Sequence, residues 1–258
     1  MQTHILATAI AASMLFGASM AGAADKPTVV LVHGAFADAS SWNGVIEILE
    51  KDGYPVVAAA NPLRGVGSDA AQIGALVDSI DGPVVLVGHS YGGLVIGEAA
   101  AAMSNVTALV FVAAFAAEAG ESAAILSGKF PGGTLGPTLA APVPLPGGGA
   151  DLYIKQEDFR AQFAADVPAS AARLMAAEQR PIADAAFKEA VGKPAWHTIP
   201  SWFIYGDMDL NIPAALQVFM AERAGAKQTV VVKGASHVVM VSNPHKVAEV
   251  IEAAATYK

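Results

Sequence analysis

Two hydrophobic rhythms alternate along this chain. Short, nearly continuous apolar runs rich in β-branched residues are followed by stretches in which apolar positions recur every three or four residues. The first kind reads as buried strand and occurs at 28–32, 54–59, 84–87, 106–113, 202–205 and 229–232. The second reads as helix, at 42–51, at 69–80 with Ser68 as its N-cap, at 213–224 and at 244–255. Strands separated by helices predict an α/β fold, with a mostly parallel central sheet and crossover helices on both faces.

The alternation stops between about residues 116 and 200. The segments 130–133 and 141–149 are rich in proline and glycine, and neither is expected to be regular helix or strand. Helical patterns resume at 157–165 and 169–177. An insertion after the fourth strand would stand over the carboxyl ends of the strands, the edge where open α/β sheets bind ligands. A cap over a site is the functional reading, and an inert surface excursion is its alternative.

The start of the chain follows a different rule. Residues 5–16 are apolar but too few to span a bilayer, and Ala21-Gly22-Ala23 supplies the small residues of a signal-peptidase site. The expectation is an export signal over 1–24, cut near Ala23 or Ala24, leaving a single periplasmic or secreted domain over 25–258. Met1-Gln2-Thr3-His4 lacks the basic residue such signals carry, so an apolar start without a targeting role is the alternative.

Composition narrows the function. With 54% hydrophobic and 15% charged residues in 258, the chain is long and apolar enough to bury a sizeable core. A net charge of −8 without a basic stripe argues against nucleic acid and against an anionic membrane surface as partners. The absence of cysteine removes disulfides, a thiol nucleophile and cysteine-ligated metal. No pattern calls for a metal or an organic cofactor.

The chemistry gathers in three loops. Gly88-His89-Ser90-Tyr91-Gly92 lies between an apolar run and a small-residue helical pattern, which reads as a strand, a sharp turn and a helix with a serine at the apex. A serine hydroxyl needs a base, normally a histidine oriented by a carboxylate, and in elbows of this kind the order is serine, acid, histidine. Of six histidines, His237 stands in the loop after the last strand, where that order requires the base. The loop after 202–205 offers Asp209, three residues beyond Gly206, with Asp207 as the fallback and as a loop-shaping side chain. Acyl transfer also needs backbone donors for an oxyanion. Tyr91 follows the serine, and Ala35 lies in the loop after the first strand, where Gly34 permits close approach. Phe36, His89, Phe115, Trp196, Val238 and Met240 are candidates for the pocket wall, with Trp42 and Tyr91 as further aromatic neighbours.

Val30-Leu31-Val32-His33-Gly34-Ala35-Phe36, Gly88-His89-Ser90-Tyr91-Gly92-Gly93, the Asp209 loop and Ser236-His237 together resemble the α/β-hydrolase superfamily. Within it, His33-Gly34-Ala35, Trp42 and the run from His237 to Pro244 resemble the branch of plant methyl-ester esterases, hydroxynitrile lyases and their bacterial relatives. The resemblance implies the α/β-hydrolase fold, a Ser90–Asp209–His237 triad, and Ala35 and Tyr91 as oxyanion donors. It implies a carboxylesterase that cleaves a small ester through an acyl-enzyme on Ser90. The lyases carry threonine where Gly34 stands and lysine where Val238 stands, so the lyase reading is the weaker one. Aspartate-nucleophile dehalogenases are excluded by Ser90. Perhydrolase chemistry shares the triad, and a small-molecule binding protein with a hydrolase-derived pocket is the alternative outside enzymes.

Overall fold

A computed structural model describes residues 26–258 of the chain, so the expected export signal lies outside the described residues. The first half is a regular alternation: β1 (Thr28–Val32), α1 (Asn43–Lys51), β2 (Val56–Ala59), α2 (Val66–Asp78), β3 (Val84–His89), α3 (Gly92–Ala99) and β4 (Val106–Val112). An insertion follows, containing α4 (Ala123–Ser127), α5 (Leu135–Thr138), β5 (Val143–Pro144), β6 (Ala150–Leu152), α6 (Gln156–Phe163), α7 (Ala169–Glu178), β7 (Ile182–Ala183) and α8 (Asp184–Lys188). The alternation then resumes through β8 (Ser201–Gly206), α9 (Ala214–Arg223), β9 (Gln228–Val232), α10 (Val239–Ser242) and α11 (Pro244–Ala255).

Six strands form one sheet in the order β2-β1-β3-β4-β8-β9, and every pairing in it is parallel. That order contains one reversal. The chain leaves β1 toward one edge, returns past it to β3, and then proceeds toward the other edge. Right-handed crossovers require the intervening helices to change face at that reversal, so α1 lies on one face and α2 and α3 on the other. The loops after β1 and β3 therefore diverge, leaving a crevice at the carboxyl ends of these two neighbouring strands. Their register, Val32 opposite Gly88, places the two loops side by side.

The strands are apolar on both faces because both are covered. All six residues of β3 and all six of β8 are buried. Phe111 of β4 stacks on Phe203 of β8 at 4.7 Å and 18° in the middle of the sheet. Elements 28–32 and 244–255 have the ends that the periodicity predicts, and the other sheet elements shift by one or two residues.

Two expectations require correction. Helix α2 begins at Val66, not Asp69, and Ser68 is not its N-cap. Its first N–H groups are capped by a remote carboxylate: Glu189 accepts from Val66 N at 2.8 Å and from Gly67 N at 3.0 Å. Ser68 sits inside the first turn and donates to the Gly65 carbonyl. The second correction concerns 141–149. Val143 and Pro144 pair antiparallel with Asp151 and Ala150, in a small sheet ordered β5-β6-β7. Proline is tolerated there because β5 is an edge strand of that sheet.

Candidate active site

Ser90 stands at the end of β3 with a φ of 52°, a left-handed conformation that is uncommon for residues other than glycine. The bend is sustained by close packing that only glycines permit. A Cβ on Gly88 would lie 2.6 Å from the Gly92 carbonyl oxygen, and one on Gly92 would lie 2.5 Å from that of Val32. The turn is thereby pressed against the end of β1. Gly34, two residues beyond the end of β1, is under the same pressure, since a Cβ there would fall 2.6 Å from the Ser90 Cβ.

The loops after β8 and β9 bring Asp209 and His237 together. His237 Nδ1 and Asp209 Oδ2 are 2.7 Å apart, and both side chains are buried. The other oxygen, Oδ1, accepts from the backbone N–H groups of Asn211 at 2.7 Å and Ile212 at 3.0 Å, which fixes the plane of the carboxylate. With Nδ1–H donating to Asp209, Nε2 is left as the unprotonated acceptor. Asp207 is exposed and accepts from Gly234 N at 2.6 Å, tying the two loops together. Ser90 and His237 border one cavity, together with Ala35, Phe36, Tyr91 and Phe115. No direct Ser90–His237 hydrogen bond is formed among the described residues; such bonds commonly tighten only in the substrate complex.

Two residues bordering the cavity carry backbone donors. Phe36 N donates to the Arg180 carbonyl at 2.9 Å, while the neighbouring Ala35 N–H and the Tyr91 N–H have no acceptor among the described residues. Both donors are anchored from behind. The Tyr91 hydroxyl donates to Asp69 Oδ2 at 2.9 Å, and Asp69 also accepts from Arg64 N at 3.2 Å. Burial, and then the Asp69 charge and hydrogen bond, push the Tyr91 phenol far above its ordinary range; burial likewise raises Asp69, against the hydrogen bonds it accepts. On the other loop, His33 Nε2 accepts from Asn61 N at 3.1 Å, so its Nδ1–H donates to the Gly34 carbonyl at 2.9 Å. Asn61 Nδ2 completes the clamp by donating to the His33 carbonyl at 2.9 Å.

Several of the sequence-predicted wall residues stand elsewhere. Trp196 turns its indole N–H to the Ala117 carbonyl at 2.9 Å and packs near Arg223, away from the cavity. Val238 and Met240 are fully buried in the core and do not border the cavity, because the chain turns inward after His237 into α10. Trp42 is likewise core, edge-on to His89 at 6.4 Å. His89 lies beneath His237, its ring 4.8 Å away, and its Nε2–H donates to the His237 carbonyl at 3.2 Å. In their place, the insertion contributes Ser127, Leu135, Phe163 and Phe187, and the Asp209 loop contributes Asn211 and Ile212. Phe163 packs against His237 at 5.0 Å between ring centres. Its position at the end of a predicted helix was readable, but its partner across the sheet edge was not.

Comparison with known proteins places the fold. Residues 29–250 match the model of the alpha/beta hydrolase family. An alpha/beta hydrolase of Aspergillus novofumigatus is 27% identical over 89% of this chain and 97% of its own length. Salicylic acid-binding protein 2 of Nicotiana tabacum is 26% identical over 88% of this chain and 97% of its own. Among solved structures, polyneuridine aldehyde esterase superposes with a TM-score of 0.75 at 21% identity, over 88% of this chain and 98% of that one.

The two buried histidines behind the site make stability depend on pH. Burial is the main cause that holds His33 below its ordinary range and His89 well below it; for His89 the nearby His237 acts in the same direction. Each is neutral when folded and titrates near pH 6.5 when unfolded. The unfolded chain therefore binds more protons below pH 6.5, and stability falls as pH decreases from that point toward the folded values. Each histidine contributes a slope of up to about 1.4 kcal/mol per pH unit. Urea unfolding at pH 7, 6 and 5 is expected to show this loss, and His89→Gln to make the slope shallower. Equal slopes for the two proteins would contradict the assignment.

Proposed function

The chain belongs to the alpha/beta hydrolase family, and from that premise we propose that it hydrolyses a small carboxylic ester through an acyl-enzyme on Ser90. Ester cleavage is also the activity named in the polyneuridine aldehyde esterase of like fold. The observation that carries the reading is the buried 2.7 Å His237–Asp209 pair beside a strained serine and two unspent backbone N–H groups.

In this mechanism His237 Nε2 takes the Ser90 proton as Oγ attacks the ester carbonyl. The carbonyl oxygen becomes an oxyanion and accepts from the Ala35 and Tyr91 N–H groups, each donor of this kind being worth about 3–4 kcal/mol of barrier. Asp209 holds the imidazole in the required tautomer and stabilises the imidazolium. The imidazolium then gives its proton to the departing alkoxide, and the alcohol leaves. Water, deprotonated by the same nitrogen, attacks the acyl-enzyme, and the imidazolium returns its proton to Ser90 Oγ as the acid leaves. Two observations favour this over cyanohydrin cleavage. Gly34 has no room for a threonine side chain against Ser90, and the residue after His237 is a fully buried valine with no charge to offer the cavity.

Export completes the reading. The apolar stretch 5–16 and Ala21-Gly22-Ala23 support a cleaved signal, and protein recovered from the producing cell is expected to begin near Asp25. An N-terminal sequence starting at Met1 would oppose it. For the chemistry, turnover of p-nitrophenyl acetate is expected to fall to the uncatalysed level in Ser90→Ala. In Asp209→Asn, kcat is expected to fall by about 10³–10⁴ with the fold retained. Ser90→Ala turnover equal to that of the parent protein would overturn the reading.

A further inference from the structure

The cavity beside Ser90 has room for about 20 Å³, which is of the order of one water molecule. An ester therefore cannot lie within it. Its acyl and alkoxy arms leave the carbonyl carbon in different directions, and both must reach into neighbouring space. Two larger spaces adjoin. A chamber of about 300 Å³, lined mainly by the insertion, shares five wall residues with the cavity: Phe36, Ser127, Leu135, Phe187 and Asn211. A surface groove of about 210 Å³ between α7 and the loop after β1 shares Phe36 alone. Phe36 is thus a wall of all three.

Phe36 is also held unusually firmly. Its φ is 61°, in the left-handed region where a bulky residue is an outlier. Its N–H is bound to Arg180, and its ring stands edge-on to Phe163 at 6.2 Å. Strain of this kind persists where surrounding structure over-determines it, and it clusters at functional sites.

We propose that Phe36 is the specificity-determining partition of the site, an inference that rests on the esterase reading. The chamber lined by the insertion accepts one bulky arm of the ester. That arm is apolar and uncharged, because no charged side chain lines the chamber. The Phe36 ring closes the way to the surface groove and confines the other arm to a small group. The substrate class is then an asymmetric, neutral ester with one large hydrophobic arm.

The test compares kcat/KM for methyl acetate, methyl phenylacetate, benzyl acetate and benzyl phenylacetate. The parent protein is expected to prefer the better of the two singly bulky esters over benzyl phenylacetate by about 100-fold. Phe36→Ala opens the cavity to the groove and is expected to narrow that ratio at least about tenfold, with Phe36→Leu intermediate. Leu139 lines the chamber but not the cavity; Leu139→Trp is expected to lower the preference for the singly bulky esters over methyl acetate. Thermal melting confirms that each variant is folded. A parent protein that hydrolyses benzyl phenylacetate as readily as the singly bulky esters would overturn the proposal. So would an unchanged ratio in folded Phe36→Ala and Phe36→Leu. If turnover of these esters depends on Ser90 while the ratio does not respond, the partition fails and the esterase reading stands. If turnover survives in Ser90→Ala, the esterase reading fails and takes the partition with it.

Discussion

Three stretches of backbone meet at Ser90 more closely than side chains allow, and the rest of the site is arranged around that contact. Gly88 and Gly92 let the turn fold back on itself and against the end of β1, and Gly34 lets the neighbouring loop pass within contact distance of the serine. A methyl group at any of the three would overlap backbone or Ser90 by nearly an ångström, a displacement large enough to cost a positioned site about two orders of magnitude in rate. The strain at Ser90 is sustained by the surrounding sheet, whose buried strands leave the turn no room to relax.

The same contact explains how a site can be built from loops that are far apart in sequence. The reversal of strand order between β1 and β3 opens a crevice where their loops diverge, and the two unspent N–H groups come from the two sides of it. Each donor is braced by a buried polar network, Asp69 with Tyr91 on one side and Asn61 with His33 on the other. These hydrogen bonds hold the two loops in orientation from behind. The Asp209–His237 pair approaches from the far side of the sheet, and His89 ties the backbone of His237 back to the turn. Ser90, His237 and the two N–H groups are thereby connected through rigid elements.

The parts that were legible in the sequence are those encoded locally. The elbow, the strand before it and the histidine after the last strand are short-range patterns, and buried parallel strands announce themselves as unbroken apolar runs. Asp209 was separable from Asp207 by its spacing alone, and the structure gives the two aspartates different partners. What escaped is what depends on contacts across the fold. The start of α2 is not legible locally because its capping carboxylate, Glu189, lies more than a hundred residues downstream in the insertion. Of the expected pocket wall, Phe36 and Phe115 border the cavity, and the rest of the wall escapes the sequence for the same reason. Trp196, Val238 and Met240 are apolar residues near the motifs, yet local composition does not tell which of two buried faces a side chain occupies. Leu135, Phe163 and Phe187 lie in an insertion without a continuous pattern, and only the folded chain shows them turned toward Ser90.

In the proposed reading this arrangement makes Ser90 the nucleophile. The most direct test is covalent capture with a fluorophosphonate, which reports an activated serine without requiring the right substrate. The account predicts one equivalent of label, located by peptide mass spectrometry on the segment containing Ser90, and none on the Ser90→Ala protein. A folded protein that takes up no label, or carries it on a different serine, would contradict it.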